Sequence, residues 1–147
     1  MKNIKMILVW LLACLAGTIH AQENSTYNIL PGKDTLITYN IEDISTEGVE
    51  AKVNYVNGKI AKSVTNIYGE TGQSTIIYEF DTDKIKVSET KYSYKSDIKK
   101  IRSDKDMLLD YNISYSIDFK GNFIGKEMPD RIDIFKKFAE VVPFELK

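Results

Sequence analysis

The residue types that most often carry enzyme chemistry are concentrated at the start of this chain. Its single Cys is Cys14, its single His is His20, and Trp10 is its single Trp. Ser-His-Asp and Cys-His sites need a histidine as the base, and zinc or copper sites need imidazole or thiolate ligands. If these first residues are removed, we expect none of those sites, and no cofactor held by them, in the chain that remains.

Residues 1–21 are interpreted as a signal peptide. Lys2 and Lys5 form a short positive region before an apolar run that ends near Ala16. A membrane-spanning helix needs about 20 apolar residues, so this run is too short to remain as an anchor. The sequence therefore predicts an exported protein.

The cleavage site has two interpretations. Cleavage after Ala21 would start the mature protein at Gln22 and would predict a periplasmic or extracellular protein. The alternative is cleavage before Cys14, since the preceding Leu-Leu-Ala resembles a lipobox. In that case the protein would be lipid-anchored through Cys14.

Carboxylates remain plentiful, and a pair of them can hydrolyse a glycosidic bond. Glu50, Glu79 and Glu89 lie on different predicted strands and could approach one another. A small carboxylate-dependent glycan hydrolase is therefore the alternative function. The acidic residues in 81–83 do not match a calcium-binding EF-hand loop, so we interpret them as a turn and expect no metal site.

The charge of the chain argues against a nucleic-acid partner. Its formal net charge is −1, with 20 Lys and Arg against 21 Asp and Glu. No excess of positive charge is available to neutralise phosphates. Residues 22–147 suffice for a single domain with its own core, and they contain no transmembrane segment.

The residues that follow Gly48 alternate between apolar and polar, which is the period of a half-buried β-strand. Asn57-Gly58 is the strongest short hairpin signal, because a type I′ turn requires positive φ at both central residues. Counting outward from this turn predicts the cross-strand pairs Tyr55 with Ile60, Val53 with Lys62, and Ala51 with Val64.

Further strands and turns continue the pattern and predict an antiparallel meander. The additional strands with alternating residues are 76–80, 85–94 and 111–119, and a short return strand begins at 123. The connection at 95–110 is predicted as a charged loop with one or two helical turns. Residues 36–41 are predicted as a strand, although their apolar spacing also fits a helix.

A helix is predicted near the end of the chain. Pro129 suits its first position, and Pro143 would end it. Apolar residues at three- and four-residue spacing form one stripe. They are Met128, Ile132, Phe135, Phe138 and Ala139. The predicted fold class is therefore α+β, an antiparallel β-meander sheet packed by a C-terminal helix.

The candidate binding residues lie at the end of the 85–94 strand: Lys91, Tyr92, Tyr94 and Lys95. Ile85 and Val87 are odd-numbered core positions, so a regular strand places both tyrosines on the solvent side. With the two lysines they would form an amphipathic patch of the kind that anchors protein interfaces. The alternative is a bulge between Ser88 and Lys91, which would return both rings to the core.

Five short motifs lie within residues 47–95: EG, NYVNGKI, NIYGETGQ, YEFD and KYSYK. They resemble an uncharacterised family of small exported bacterial proteins, which combine an NG hairpin, a YGE-x-GQ turn and a YYF-like strand. The resemblance implies a meander sheet with a helix. It brings no catalytic residue to this chain.

These observations predict a non-catalytic binding or inhibitor-type module exported to the bacterial envelope. Its expected partner is a protein or another envelope component, and no enzyme activity or cofactor is expected.

Overall fold

The computed structural model describes residues 34–147, so the proposed signal peptide and Cys14 lie outside the described residues. Seven β-strands form one antiparallel sheet in which each strand lies beside the next one in sequence. They are β1 (Asp34–Asn40), β2 (Val49–Val56), β3 (Lys59–Tyr68), β4 (Gly72–Phe80), β5 (Ile85–Tyr94), β6 (Met107–Ile117) and β7 (Phe123–Ile124). The predicted antiparallel meander is confirmed, and the segment that also fitted a helix is the strand β1.

The alternation of side chains gives the sheet two different faces. Successive residues of a strand point to opposite sides, so the apolar positions gather on one side, here called the inner face. Its most deeply buried members include Ala51, Val53, Tyr55, Ile76, Tyr78, Ile85, Val87 and Ile117. The opposite side, here called the outer face, carries polar pairs such as Lys62 with Glu79, whose Nζ and Oε1 atoms are 3.0 Å apart.

The turn between β2 and β3 has the predicted conformation. Asn57 and Gly58 have φ angles of 52° and 78°, as a type I′ turn requires. Tyr55 pairs with Ile60, which confirms the first predicted pair. The residues of the turn therefore predict the first cross-strand pair of this hairpin correctly.

Beyond this pair the register differs from the prediction. Ala61 is an extra residue in β3, a β-bulge, and every later pair is displaced by one position. The observed pairs are Val53 with Ser63 and Ala51 with Thr65, so the predicted Val53 with Lys62 and Ala51 with Val64 are wrong. The displacement places Lys62 on the outer face, where it forms an ion pair with Glu79.

The helix α1 (Phe135–Val141) begins at Phe135 and not at Pro129, so the predicted start is wrong. The preceding residues adopt turns instead. The backbone N–H of Ile132 donates to the Glu89 carboxylate, with N···O distances of 3.0 and 3.1 Å. This bond to the sheet holds the segment against β5, and the helix forms only beyond it.

Helix α1 packs on the inner face of the sheet. The rings of Phe135 and Phe138 have centroids 5.4 and 4.9 Å from that of Tyr78. The helix ends before Pro143, as predicted, and the Pro143 carbonyl accepts a 2.8 Å hydrogen bond from the hydroxyl of Tyr55. Two of the predicted stripe residues thus lie in the core.

The connection from β5 to β6 contains two 3₁₀ turns, Ile98–Lys100 and Asp104–Asp106. The Asp106 carboxylate accepts backbone N–H bonds of 2.9 and 3.0 Å from Arg102 and Ser103, and these bonds lower its pKa. The predicted loop with helical turns is confirmed, although β6 already begins at Met107.

One short α-helix accompanies the seven strands, so the described part of the molecule is mostly β. The α+β prediction is correct at the level of an antiparallel sheet with a C-terminal helix. In residues 34–147, no helix has both the length and the apolar character needed to cross a membrane.

Candidate functional site

The two candidate tyrosines lie on the outer face of the sheet. The pairing of β4 with β5 is continuous from Gly72 to Phe80, and Tyr92 lies opposite Gln73. The irregularity occurs in β6, where Asp110 is the extra residue opposite Lys91 and Tyr92. Strand β5 therefore keeps its alternation, and the bulge that would have returned the rings to the core does not occur.

Tyr92 and Tyr94 belong to a group of apolar side chains at one end of the outer face, here called the tyrosine patch. Cross-strand pairing places Leu109 opposite Tyr92, Met107 opposite Tyr94, and Tyr68 opposite Gln73. Its members are Tyr68, Tyr92, Tyr94, Met107 and Leu109. Tyr68 and Leu109 are 39% and 59% exposed, and the rings on β5 are half-buried between their neighbours.

The electrostatic surroundings of Tyr94 agree with this placement. Burial raises the pKa of its hydroxyl, and the neighbouring Tyr68 and the negative charge of Glu47 raise it further. Tyr94 and Glu47 also line the same pocket at this end of the sheet.

The two candidate lysines do not join this patch. Lys91 pairs with the buried Ser74, which places Lys91 on the inner face, at an exposed position beyond the core. Lys95 follows β5, and its Nζ donates to the Lys105 carbonyl at 2.6 Å. Lys91 thus lies on the face opposite to the two tyrosines, and Lys95 lies in the adjoining loop. The binding role of these four residues stays a prediction.

A second group of polar residues lies inside the molecule, around Glu89. The Glu89 side chain is completely buried and accepts hydrogen bonds from the hydroxyls of Tyr111 (2.5 Å) and Tyr115 (3.3 Å). Its other donor is the backbone N–H of Ile132. These residues, together with Arg131, are called the Glu89 cluster below.

Arg131 forms the side of this cluster nearest the surface, and its side chain is only 12% exposed. Its guanidinium lies 4.3 Å from the ring centroid of Phe123 and 5.7 Å from that of Tyr115, and it forms a 2.8 Å ion pair with Asp133. Burial and then the charge of Glu89 raise the pKa of Tyr115 to about 12, against the opposing effect of Arg131. Tyr115 therefore stays protonated and remains a donor.

The Glu89 cluster connects three elements of the fold. Glu89 belongs to β5, the tyrosines belong to β6, and Ile132 belongs to the segment before α1. Burial and the bond to Glu89 also raise the pKa of Tyr111. All the donors point at a carboxylate that has no exposed surface, so the cluster can hold the chain segments together but offers this carboxylate to no ligand in solution.

The three glutamates considered as catalytic residues do not meet. Glu89 is on the inner face, whereas Glu50 and Glu79 are on the outer face in ion pairs with Lys52 (3.2 Å) and Lys62 (3.0 Å). The burial of Glu89 had a signal in the sequence, since it continues the odd-numbered series of Ile85 and Val87. No sequence signal indicated the hydrogen-bond donors of Glu89, because they come from distant parts of the chain.

An open groove lies beside the Glu89 cluster, between the β6–β7 turn and the segment before α1. Charged side chains of both signs line it: Lys120, Glu127, Arg131, Asp133 and Lys136. Among residues 34–147, no group of His, Cys, Asp and Glu side chains is arranged to hold a metal ion. Because these charges are of both signs, the groove does not indicate one class of ligand, whereas the tyrosine patch has a clear apolar character.

Comparison with known protein families, with curated proteins and with solved structures finds no match to this chain. The resemblance to the family of exported bacterial proteins stays a prediction.

Proposed function

We propose that this protein is a non-catalytic binding module of the bacterial envelope, and that it contacts a partner protein through the tyrosine patch. The observation that carries this proposal is the apolar patch on an uncovered polar face. Within residues 34–147, α1 and the chain end both pack on the inner face. Tyr68 and Leu109 stay exposed on the other face.

The chemistry of the patch suits a protein partner. Tyrosine combines a large apolar ring with a hydroxyl that can form a hydrogen bond, and such rings supply much of the binding energy of protein interfaces. The half-buried rings on β5 are already held by their neighbours, so little side-chain entropy would be lost on binding. An inhibitor-type module would use the same surface against the enzyme that it blocks.

The export of the protein rests on its first 21 residues alone. The proposal places it in the periplasm or outside the cell after cleavage at Ala21, with lipid anchoring through Cys14 as the alternative. Intact-mass measurement of the exported protein distinguishes a chain that starts at Gln22 from an acylated one.

The alternative glycan hydrolase receives less support from the described residues. A glycosidase needs two carboxyl groups on either side of the scissile bond. Glu89 is completely buried, and Glu50 and Glu79 point away from it. We therefore prefer the binding module.

Site-specific photo-crosslinking tests the binding proposal in the cells that export the protein. A benzophenone amino acid at Tyr92 reports on the patch, and the same amino acid at Lys52 is the control on the outer face of β2. We expect a protein adduct of defined mass at position 92 and none at position 52. Absence of any adduct at position 92, or the same adducts at both positions, would contradict the proposal.

The double change Tyr92→Ser with Tyr94→Ser tests whether the rings bind or merely support the fold. We expect loss of the adduct, with crosslinking monitored from Leu109, and a small decrease in melting temperature because the rings lie outside the core. The matched change Tyr92→Phe with Tyr94→Phe should retain the adduct. A decrease of many degrees in the melting temperature of the serine variant would show that the rings stabilise the fold and do not bind a partner.

A further inference from the structure

A pocket adjoins the tyrosine patch at the end of the sheet where β5 ends. Tyr94 belongs to the patch and also lines this pocket, which is called the acidic pocket below. The other lining residues come from three connections between strands: Glu47 from β1–β2, Glu70 and Thr71 from β3–β4, and residues 96–99 from β5–β6. The patch and the pocket therefore form one continuous surface, which a single partner can cover.

The turn between β3 and β4 is held against β5. The N–H of Tyr94 donates to the Thr71 carbonyl at 2.8 Å. Gly72 approaches β5 so closely that a Cβ atom there would collide with the Tyr92 carbonyl oxygen. Glu70 lies in this turn, so it is carried on backbone whose distance from β5 is fixed.

The connection between β1 and β2 is attached to the end of β3. The N–H of Tyr68 donates to the Gly48 carbonyl at 3.1 Å, and the Ser45 hydroxyl donates to the Tyr68 carbonyl. Glu47 lies between these two points of attachment, and its negative charge acts on Tyr94. The pocket is therefore already formed, and binding to it requires little further ordering of the chain.

The charges that line the acidic pocket are predominantly negative. Glu47, Glu70 and Asp97 contribute three carboxylates, whereas Lys99 contributes one ammonium group. The Asp97 carboxylate accepts a 2.9 Å hydrogen bond from the backbone N–H of Lys99, so it is engaged within its own loop. Glu47 and Glu70 are exposed and form no ion pair with another residue in 34–147. These two carboxylates are therefore accessible to a cation from outside.

The rest of the lining indicates the class of this cation. In the part of the chain that the structure describes, no group of acidic side chains is arranged to hold a metal ion. Tyr94 adds an aromatic wall to the carboxylates. Lysine and arginine side chains combine an apolar stem, which packs on such a ring, with a charged end that pairs with carboxylates. A basic side chain therefore suits both kinds of wall.

We propose that the partner protein inserts a lysine or arginine side chain into the acidic pocket while apolar residues beside it cover the tyrosine patch. Tyr94 contacts both parts of the partner, because it lines the pocket and belongs to the patch. The exposed carboxylates also attract a positively charged partner before contact and raise its rate of association. This inference rests on the proposed function and specifies the chemistry of the partner.

Photo-crosslinking from position 92 tests the proposal when two charges of the pocket are removed. Glu47→Gln with Glu70→Gln keeps the size of both side chains and should lower the yield of the protein adduct about tenfold. Glu79→Gln with Glu140→Gln is the matched control, since it removes two negative charges outside the pocket, and it should retain the adduct. All four side chains are exposed, so both variants should melt at the wild-type temperature.

Ionic strength provides a second test, which needs no change in the pocket. Salt screens the attraction between exposed charges. Added sodium chloride in an extract of the cell envelope should therefore lower the adduct yield from position 92 several-fold when the pocket is intact. The yield from Glu47→Gln with Glu70→Gln should depend much less on salt.

The possible results separate this inference from the proposed function. Absence of an adduct from position 92 with the pocket intact contradicts the proposed function and this inference together. An adduct that forms equally well in Glu47→Gln with Glu70→Gln and in the control overturns the inference alone and leaves the tyrosine patch as the binding surface. An adduct yield that does not change with salt has the same consequence.

Discussion

Glu89 is the residue whose surroundings are least expected in a core. It is completely buried, and its carboxylate is held by hydroxyl and backbone donors rather than by a direct ion pair. A buried polar group destabilises the fold unless its hydrogen bonds are satisfied, and here two hydroxyls and one backbone N–H satisfy the carboxylate. The side chain therefore acts as a tie between β5, β6 and the segment before α1.

Replacement of Glu89 by Leu should reveal this role. The change removes the acceptor of the Ile132 N–H and of two tyrosine hydroxyls, so we expect the unfolding free energy to decrease by at least about 2 kcal/mol. Glu79→Leu, on the outer face, removes only an exposed ion pair and should cost no more than about 1 kcal/mol. Urea unfolding measures both, and similar losses for the two variants would contradict the role of Glu89.

At the level of the strands, two bulges decide which residues reach each face. The extra residue Ala61 moves Lys62 to the outer face, and the extra residue Asp110 changes the phase of β6 at its beginning. Strand β5 has no extra residue of its own, so its alternation is unbroken from Ile85 to Tyr94. The tyrosine patch exists because the irregularity lies in β6 and not in β5.

Adjacent residues of β5 provide a direct test of the two faces. Val87 is buried on the inner face, whereas Ser88 is exposed and lies 3.3 Å from the Ser114 hydroxyl. Val87→Lys buries an unpaired charge and should cost several kcal/mol, or prevent folding. Ser88→Lys should change stability by no more than about 0.5 kcal/mol. Comparable melting temperatures for the two variants would show that the faces are assigned incorrectly.

The whole molecule has a core on one side of a single sheet, closed by α1 and by the end of the chain. The backbone N–H of Leu146 donates to the Gly58 carbonyl at 2.8 Å, and Ile60 donates to the Phe144 carbonyl at 2.9 Å. The chain end is thus attached to the hairpin formed by β2 and β3. This closure also buries tyrosines, and burial raises the pKa of Tyr55 and Tyr78.

These raised pKa values predict alkaline unfolding. A tyrosine with a higher pKa in the folded state stays protonated while the unfolded chain ionises, so its contribution is complete below the ordinary pKa and is lost as pH rises through the folded pKa. For Tyr115 this range runs from 10.0 to about 12. Stability in urea should decrease over this range, and less steeply in Tyr115→Phe. An identical pH dependence in that variant would exclude Tyr115 as a contributor.

The sequence by itself determined the features that depend on neighbouring residues. Alternation predicted the strands and the inward positions of Ile85 and Val87. Asn57-Gly58 gave the first hairpin, because positive φ is a requirement of the turn itself. These signals act within a few residues, so no knowledge of distant contacts was needed to interpret them.

The tertiary structure alone decided which distant residues meet. The bulges at Ala61 and Asp110 depend on how each strand fits its neighbour, and the residues of one strand do not specify that fit. Glu89 and Ile132 are separated by 43 positions, yet their hydrogen bond joins β5 to the segment before α1. The sequence around Pro129 favours a helix locally, but in the folded chain the Ile132 N–H bonds to the buried Glu89 carboxylate and α1 begins only at Phe135, because a contact between distant residues competes with the local preference.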